Sequence, residues 1–273
     1  MVATPIGNLG DLSPRAADVL RSADLVAAED TRRSGRLLAH VGATAPQVSY
    51  HEHNEDDRIP ELLTAMRGGA VVALVSDAGT PGVSDPGFRL VRACIEAGID
   101  VDAVPGASAL LHALVVAGLP MERFVMEGFL PRRGAARTRR LADLATETRT
   151  AVLYVAPHRA HQDLVDLAAA LGADRPAALC RELTKRYEEV VRGTLGELAA
   201  RVAEHALRGE VTVVVGGAPV AAPAPRSPSE LAAEVAREVA AGADRKSAIA
   251  TVAAQAGVTR RDVYQAVVDA GGS

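Results

Sequence analysis

Residues 76–87 read Ser76-Asp77-Ala78-Gly79-Thr80-Pro81-Gly82-Val83-Ser84-Asp85-Pro86-Gly87. They follow the continuously apolar run Val71–Val75, which is typical of a strand buried on both faces, and they precede a helical pattern at 88–97. A strand, a loop and a helix in this order predict an α/β fold with an open, mainly parallel sheet. The loop then lies at the carboxyl edge of the sheet, where such folds bind ligands.

The composition of this loop indicates the kind of ligand. Its three glycines and two prolines make a rigid turn whose backbone amides can approach a ligand closely. Asp77 and Asp85 add carboxylates, which suit a ligand with hydroxyls or a cationic centre better than a polyphosphate. A purely structural turn is the alternative, but such a turn needs far fewer special residues.

Two more loops of similar character follow predicted strands. The first runs from Ala3 to Asp11 and contains Pro5 and Gly7, and the second is Val104-Pro105-Gly106-Ala107-Ser108. Ser108 can be a helix N-cap, so a simple capped turn is an alternative reading of the second loop. Because the carboxyl ends of parallel strands meet at one edge, we expect all three loops to gather there and form a binding site.

The pattern of elements predicts three domains. In 1–118, strands at 24–28, 47–50, 70–76 and 100–104 alternate with helices at 14–21, 31–41, 58–67 and 88–97. After a break at Gly118-Leu119-Pro120, a second α/β domain spans 119–220, with strands at 124–127, 150–155, 177–180, 189–192 and 211–215 and helices at 135–145, 159–171 and 195–205. The Pro/Ala-rich run 218–228 indicates a linker, so 221–273 is a linker followed by a small helical domain.

Composition and absent motifs exclude several classes of protein. No Gly-x-Gly-x-x-Gly, no Gly-Lys of a P-loop and no Cys/His spacing suited to zinc occurs, so neither a dinucleotide fingerprint nor a metal site is expected. Cys94 and Cys180 lie in apolar patterns and are expected to be buried thiols. No uncharged apolar run is long enough for a membrane span, and no basic start predicts secretion, so the cytoplasm is expected. The net charge of −4 requires any nucleic-acid site to be a local patch.

One local patch of this kind lies near the start of the second α/β domain. Arg132, Arg133, Arg137, Arg139 and Arg140 occur without an acidic residue among them, and three of these arginines share a helical face. Such a patch can hold phosphates, although a solvated helix face in an arginine-rich chain has the same pattern.

Eight segments resemble, in the same order along the chain, one known family. They are residues 3–11, 29–33, 50–55, 76–87, 127–133, 157–159, 181–185 and 189–196. The family is that of the bacterial small-subunit ribosomal RNA cytidine 2′-O-methyltransferases, in the tetrapyrrole methylase (class III methyltransferase) superfamily. The resemblance covers roughly 2–217, and the segments 76–87 and 29–33 are the most specific. The helical tail is similar to the small C-terminal domain of the family.

The resemblance implies two α/β domains of tetrapyrrole-methylase type with the cofactor cleft between them, plus the small C-terminal helical domain. It implies S-adenosyl-L-methionine as cofactor, a cytidine ribose of small-subunit ribosomal RNA on the assembled subunit as substrate, and a homodimer. Carried over by position, the cofactor contacts are Pro5, Asp77, Gly79, Ser84, Pro105, Ser108, Leu183, Gly216 and Gly217. One departure is Ala107, where family members usually have proline, so that loop is expected to be less rigid.

The remaining candidates concern the reaction itself. Transfer to a ribose hydroxyl needs a group that accepts its proton. The candidates for this group are Glu29, Asp30, His51 and Lys185, of which Lys185 is one of only two lysines in the chain. For RNA contact the candidates are Arg32, Arg132, Arg133, Arg137, Arg140, His158 and Arg159.

Two other interpretations of the sequence remain open. One is a superfamily relative that methylates a small, tetrapyrrole-like molecule, which needs neither the basic patch nor the helical tail. The other is a non-catalytic RNA-binding ribosome factor, which does not need the cofactor loops.

Overall fold

The computed structural model describes residues 1–219 and 226–271 and divides the chain into two compact units. The first, Met1–Ala218, contains two β-sheets, and the second lies within Pro219–Ser273. Most of the predicted linker at 218–228 lies outside the described residues. Among the described helices, none has the length and hydropathy needed to cross a bilayer.

The first sheet has three strands, all parallel, in the order β2-β1-β3. The strands are β1 (Leu25–Ala28), β2 (Gln47–Ser49) and β3 (Val72–Val75), and the helices are α1 (Pro14–Ser22), α2 (Thr31–Val41), α3 (Glu55–Arg67) and α4 (Phe88–Glu96). Ala28 pairs in register with Ser49 and Val75, so the three strands end level with one another. The fourth strand predicted at 100–104 is reduced to one bridge between Val2 and Val104.

The second sheet has five strands in the order β4-β5-β8-β6-β7. They are β4 (Phe124–Phe129), β5 (Thr150–Val155), β6 (Pro176–Arg181), β7 (Glu189–Thr194) and β8 (Val211–Val215). Only β4 and β5 are parallel, and all other pairs are antiparallel. One face is covered by α6 (Gly134–Thr146), α7 (Ala160–Leu171) and α8 (Leu195–Glu204), whose leucines fill a large core.

The opposite face of the second sheet is covered by α5 (Ala109–Ala117). Ala113, Leu114 and Ala117 pack there against Val152 and other buried residues of the second sheet. This helix precedes the boundary predicted at 118, yet its apolar side packs against the second sheet. The segment that joins the two sheets is therefore part of the core and not a linker.

The described part of the C-terminal unit, residues 226–271, forms three helices, α9 (Pro228–Ala240), α10 (Arg245–Ala256) and α11 (Arg260–Gly271). Ser227 caps α9 through a capping box with Glu230. Gly257 ends α10 in the left-handed conformation that glycine adopts easily. Small apolar residues such as Ala248, Val252 and Ala256 let the helices pack closely.

Candidate active site

The three loops predicted from the sequence meet at the carboxyl edge of the first sheet. Thr4 and Gly79 exchange two backbone hydrogen bonds, of 2.8 and 3.1 Å, which join the first loop to the loop after β3. The Ala3 amide donates to the Val104 carbonyl (3.1 Å) and so joins the first loop to the third. At Gly106, a Cβ would lie 2.8 Å from the Cβ of Ala3. Only glycine allows this approach of the two backbones.

Two carboxylates fasten the end of β1 to the end of β3. The Asp30 amide donates to Asp77 Oδ1 and the Asp77 amide donates to Glu29 Oε2, both at 3.1 Å. Arg33 completes the cluster with an ion pair to Asp77 (3.2 Å). Burial raises the pKa of Glu29, and the neighbouring carboxylate of Asp77 adds to this effect. Glu29 is thus a better proton acceptor than an exposed carboxylate.

Asp85 lies in the same loop and was not among the candidates for the proton acceptor. Burial raises its pKa to about 6, and the carboxylates of Glu29 and Asp77 add to the shift. The preceding Ser84 has a φ of 61°, a strained value for a residue other than glycine. The sequence places Asp85 only in a Gly/Pro-rich loop, and its nearness to Glu29 depends on the fold.

Asp30 has a different role from Glu29. It caps α2, accepts a 2.9 Å bond from the Arg32 amide and forms an ion pair of 2.8 Å with the Arg32 guanidinium. Hydrogen bonds from the Arg32 side chain and backbone lower its pKa. A carboxylate with a lowered pKa holds a proton poorly, so the geometry favours Asp30 as a helix cap over Asp30 as the base.

Lys185 approaches the same edge from the second sheet. A Cβ at Gly7 would collide with the Lys185 side chain and would lie 3.0 Å from Thr184 Oγ1, so the first loop touches the segment that follows β6. The Lys185 ammonium lies 2.8 Å from Glu182 and 3.1 Å from Glu210. Burial opposes the charge, but these two carboxylates outweigh burial and raise the pKa of Lys185. The geometry therefore favours Lys185 as a fixed cation over Lys185 as the proton acceptor.

Buried polar atoms without hydrogen-bond partners occur around the same edge. They include Thr184 Oγ1 and the Nδ1 of His51 among the described residues. Such atoms are costly unless a ligand or water satisfies them. The first loop and Asp77 also line a cavity of about 150 Å3. No group of three or more His, Cys, Asp or Glu residues in the described ranges is arranged to hold a metal ion.

The other expected cofactor contacts divide into two groups. Ser84 faces the second sheet, because a Cβ at Gly128 would lie 3.3 Å from its Oγ. Leu183 is buried in the core beside α5. Ser108 caps α5 by accepting a hydrogen bond from the Leu111 amide, so the capped turn anticipated from the sequence is present.

Gly216 and Gly217 belong to the second group. They follow β8, which runs antiparallel to β6, so they lie beside Pro176 at the start of β6, whereas Leu183 follows its end. A strand of this length spans about 17 Å. The structure does not bring these glycines together with Leu183, and this part of the expected site is corrected. At Gly217 a Cβ would collide with the Thr148 carbonyl, so close packing explains why this position is glycine.

The basic patch also differs from its prediction. Arg132, Arg133 and His158 are exposed, and Arg159 reaches the Arg132 carbonyl (3.0 Å), so these four residues are neighbours. Arg140 is exposed but pairs with Glu127 (2.6 Å). Arg137 is only 7% exposed, so its assignment to an RNA-binding surface is wrong.

Arg137 instead has a structural role, which a stability measurement can test. Its guanidinium pairs with Asp163 (2.7 Å) and Asp166 (2.6 Å), and it donates to the Pro131 carbonyl. Arg137→Ala leaves Asp166 without its counter-ion and the buried Asp163 with only the more distant Arg159 (3.5 Å). We therefore expect unfolding in urea to cost about 3 kcal/mol less than in the wild type. Arg139→Ala, an exposed neighbour on the same helix, should change stability by less than about 0.5 kcal/mol. Equal stability of the two variants would contradict this role.

Residues 1–199 match the family model described as Tetrapyrrole (Corrin/Porphyrin) Methylases. A ribosomal RNA small subunit methyltransferase I of Synechocystis is 47% identical over 97% of this chain and 95% of its own length. The protein of the same name from Mycobacterium tuberculosis is 51% identical over 97% of this chain and 93% of its own length. The chain belongs to the ribosomal RNA small subunit methyltransferase I family of tetrapyrrole methylases. The family resemblance found in the sequence is thereby confirmed.

Solved tetrapyrrole methylases share the fold. A cobalt precorrin-4 methyltransferase has a TM-score of 0.59 and 18% identity and covers 79% of this chain and 93% of its own. A Thermus thermophilus uroporphyrin-III C-methyl transferase, solved with S-adenyl homocysteine, has a TM-score of 0.56 and 20% identity and covers 79% of this chain and 95% of its own. These likenesses confirm the two-sheet α/β fold.

Proposed function

We propose that the chain transfers a methyl group from S-adenosyl-L-methionine to the ribose 2′-oxygen of a cytidine in small-subunit ribosomal RNA. The relatives that match along 97% of the chain are named ribosomal RNA small subunit methyltransferase I, which supports methyl transfer to small-subunit RNA. The observation that carries the proposal is the meeting of the three loops beside Glu29, Asp77 and Asp85. An RNA-binding factor without catalysis would not require this arrangement.

The residues at the edge of the first sheet fit the cofactor. Gly79 has a φ of 86°, a conformation that favours glycine, so its loop can present backbone groups to a nucleoside at this edge. Asp77 offers a carboxylate for hydroxyl groups or for a sulfonium charge, and Thr184 Oγ1 offers an unused hydrogen-bonding group. When bound, S-adenosyl-L-methionine supplies a methyl group activated by a positively charged sulfur.

The chain itself must supply the proton acceptor. A ribose hydroxyl loses its proton as its oxygen bonds to the methyl carbon, and a nearby base with a raised pKa makes this step easier. Burial raises the pKa values of both Asp85 and Glu29, and the Glu29 carboxylate adds to the shift at Asp85. We infer that Asp85 is the base and that Glu29 positions the Asp77 loop. His51 remains a further candidate, because its Nδ1 is buried and free of protein partners in the described part of the chain.

Lys185 then acts as a fixed cation that stabilises the segment 182–185. We expect Lys185→Ala to lower methyl transfer about tenfold or more, because Glu182 and Glu210 lose their shared counter-ion. Lys185→Arg keeps the charge but cannot accept a proton, so it should retain a large part of the activity. Turnover with labelled cofactor measures both variants. If Lys185→Arg is as inactive as Lys185→Ala while both bind S-adenosyl homocysteine normally, the fixed-cation role is wrong.

One assay tests the proposed function as a whole. Labelled S-adenosyl-L-methionine is supplied with intact small ribosomal subunits, with protein-free small-subunit RNA, or with a tetrapyrrole. Label at a cytidine 2′-oxygen, located by resistance to alkaline hydrolysis at that nucleotide, is the expected result. Label on the tetrapyrrole alone would favour a small-molecule methyltransferase, and RNA binding without any transfer would favour a ribosome factor.

We further propose that the chain acts as a homodimer in the cytoplasm. We propose three domains, at 1–118, 119–220 and 221–273, with helix α5 at the end of the first domain packed against the sheet of the second. The first α/β domain supplies the cofactor loops and the second completes the cleft. Sedimentation velocity of the full chain, which we expect to give the mass of two copies, tests the dimer.

A further inference from the structure

The last helix of the C-terminal unit presents one continuous exposed stripe. The stripe consists of Arg260, Arg261, Tyr264, Gln265 and Val268, and it is called here the α11 stripe. These positions follow the i, i+1, i+4, i+5, i+8 spacing of a single helix face. The opposite face supplies Val263 and Ala266 to the core of the unit. Among the described residues, the stripe therefore lies outside the buried core of this unit.

The charges of the unit are unevenly distributed. Arg226 and Arg237 both pair with Glu234, whereas Arg260 and Arg261 have no ion-pair partner in the ranges that the structure describes. The nearby Asp262 is engaged in capping α11, through bonds of 2.7 and 3.2 Å with the Thr259 hydroxyl. The arginines occupy the first turn of α11, where the helix dipole disfavours positive charge. The stability of α11 therefore does not explain why two arginines occur in its first turn.

An exposed aromatic ring lies one turn beyond the arginines. Tyr264 is 55% exposed in a chain that has only four tyrosines, three phenylalanines and no tryptophan. Gln265 next to it donates to Asp269 (2.8 Å) and keeps its amide oxygen available. Arginines, a ring and an amide on one face are the side chains that hold phosphates, stack on bases and bond to base edges.

The connection between α10 and α11 agrees with this interpretation. Three residues, Gly257-Val258-Thr259, separate the two helices, and α9 packs against both of them. This connectivity is that of helix-turn-helix units, in which residues near the start of the last helix face the nucleic acid. The α11 stripe occupies that position.

We propose that the α11 stripe is an RNA-binding surface separate from the cofactor loops. Arg260 and Arg261 bind phosphates of the RNA backbone, and Tyr264 stacks on an unpaired base. A protein partner fits less well, because Val268 is the one aliphatic side chain of the stripe and protein interfaces have an apolar centre. The identity of the RNA as small-subunit RNA rests on the proposed function.

The test measures RNA binding by the full chain at several KCl concentrations. The probe is protein-free small-subunit RNA, and the variants are R260A/R261A and Tyr264→Ala. We expect R260A/R261A to bind about tenfold more weakly and the slope of log affinity against log salt to fall by about 1.4–1.8, because each lost phosphate contact contributes about 0.7–0.9. Tyr264→Ala should bind about tenfold more weakly with an unchanged slope, since stacking carries no counter-ion release.

A matched control removes two other exposed arginines, in R67A/R92A on the first α/β domain, and should leave affinity and slope unchanged. S-adenosyl homocysteine binding should be equal in all variants and so reports an intact cofactor site. Wild-type affinity and slope in R260A/R261A would overturn the proposal. A change of sedimentation mass with unchanged RNA binding would also overturn it, because the stripe would then join copies of the chain. If the wild-type protein binds RNA but transfers no methyl group, the proposed function is wrong. The binding data of the variants still show in that case whether the α11 stripe binds RNA.

Discussion

Gly106→Val should abolish binding of S-adenosyl homocysteine, with a loss of affinity of at least about 100-fold. A Cβ at this position would lie 2.8 Å from the Cβ of Ala3 and 3.3 Å from its carbonyl oxygen. Because protein interiors cannot absorb an overlap of this size without moving backbone, the first loop must separate from the loop at 104–108. The Ala3–Val104 and Thr4–Gly79 hydrogen bonds lie beside this contact. Isothermal titration calorimetry measures the result.

The control for this variant is Gly35→Ala in the middle of α2. A Cβ there would meet no atom closer than 3.4 Å, and alanine is the better helix former by about 1 kcal/mol. We expect wild-type cofactor affinity and equal or higher thermal stability. Normal cofactor affinity in a folded Gly106→Val protein would place the cofactor away from these loops.

Asp85→Asn should lower methyl transfer by about 100-fold to 10,000-fold, the range typical of losing a general base. In the wild type, transfer should decline as the pH falls below about 6, because Asp85 with a pKa of about 6 becomes protonated there. The substitution removes the titrating group, so the residual rate of the variant should lose this decline. Single-turnover rates between acid and neutral pH measure both effects, and S-adenosyl homocysteine binding should remain within a few-fold of the wild type.

Stability offers an independent check on Asp85. Its pKa in the folded protein lies above the ordinary aspartate value of 3.8, so the folded state binds the proton more tightly than the unfolded state. The ionised carboxylate therefore opposes folding at neutral pH, and this opposition fades as the pH falls through 6 towards 4. Asp85→Asn should melt at the same or a higher temperature at pH 7. Low activity with a lowered melting temperature would indicate structural damage, and full activity would exclude Asp85 as the base.

Much of the fold could be predicted because its signals are local. Strands such as Thr150–Val155 and helices such as Thr31–Val41 were predicted with their observed bounds, since continuous apolar runs and end caps mark them directly. The meeting of the three loops was also predictable, because parallel strands bring their carboxyl ends to one edge. The strand predicted at 100–104 does not form, because Val104 is the one residue of this segment that pairs with another segment, through its bridge to Val2.

The errors at the site arise from contacts between distant segments. The spacing of the arginines predicts that Arg137 lies on an exposed helix face, but Asp163 and Asp166 from the next helix form ion pairs with it. The rarity of lysine in this chain suggests Lys185 as a base. In the structure, Glu210, which lies 25 residues later, stabilises the charged form of Lys185. Gly216 was placed by family position, and only the antiparallel course of β8 reveals at which end of the sheet it lies. No local pattern carries this information.

The packing of α5 limits how this chain can be divided or recombined. Residues 109–117 follow the first sheet in sequence but bury Ala113, Leu114 and Ala117 against the second. A cut at 118 would leave one fragment with an unprotected apolar helix and the other with a bare sheet face. For engineers who exchange parts between homologous methyltransferases, a suitable crossover point lies before Ser108 and not at the Gly118-Leu119-Pro120 break that the sequence suggests.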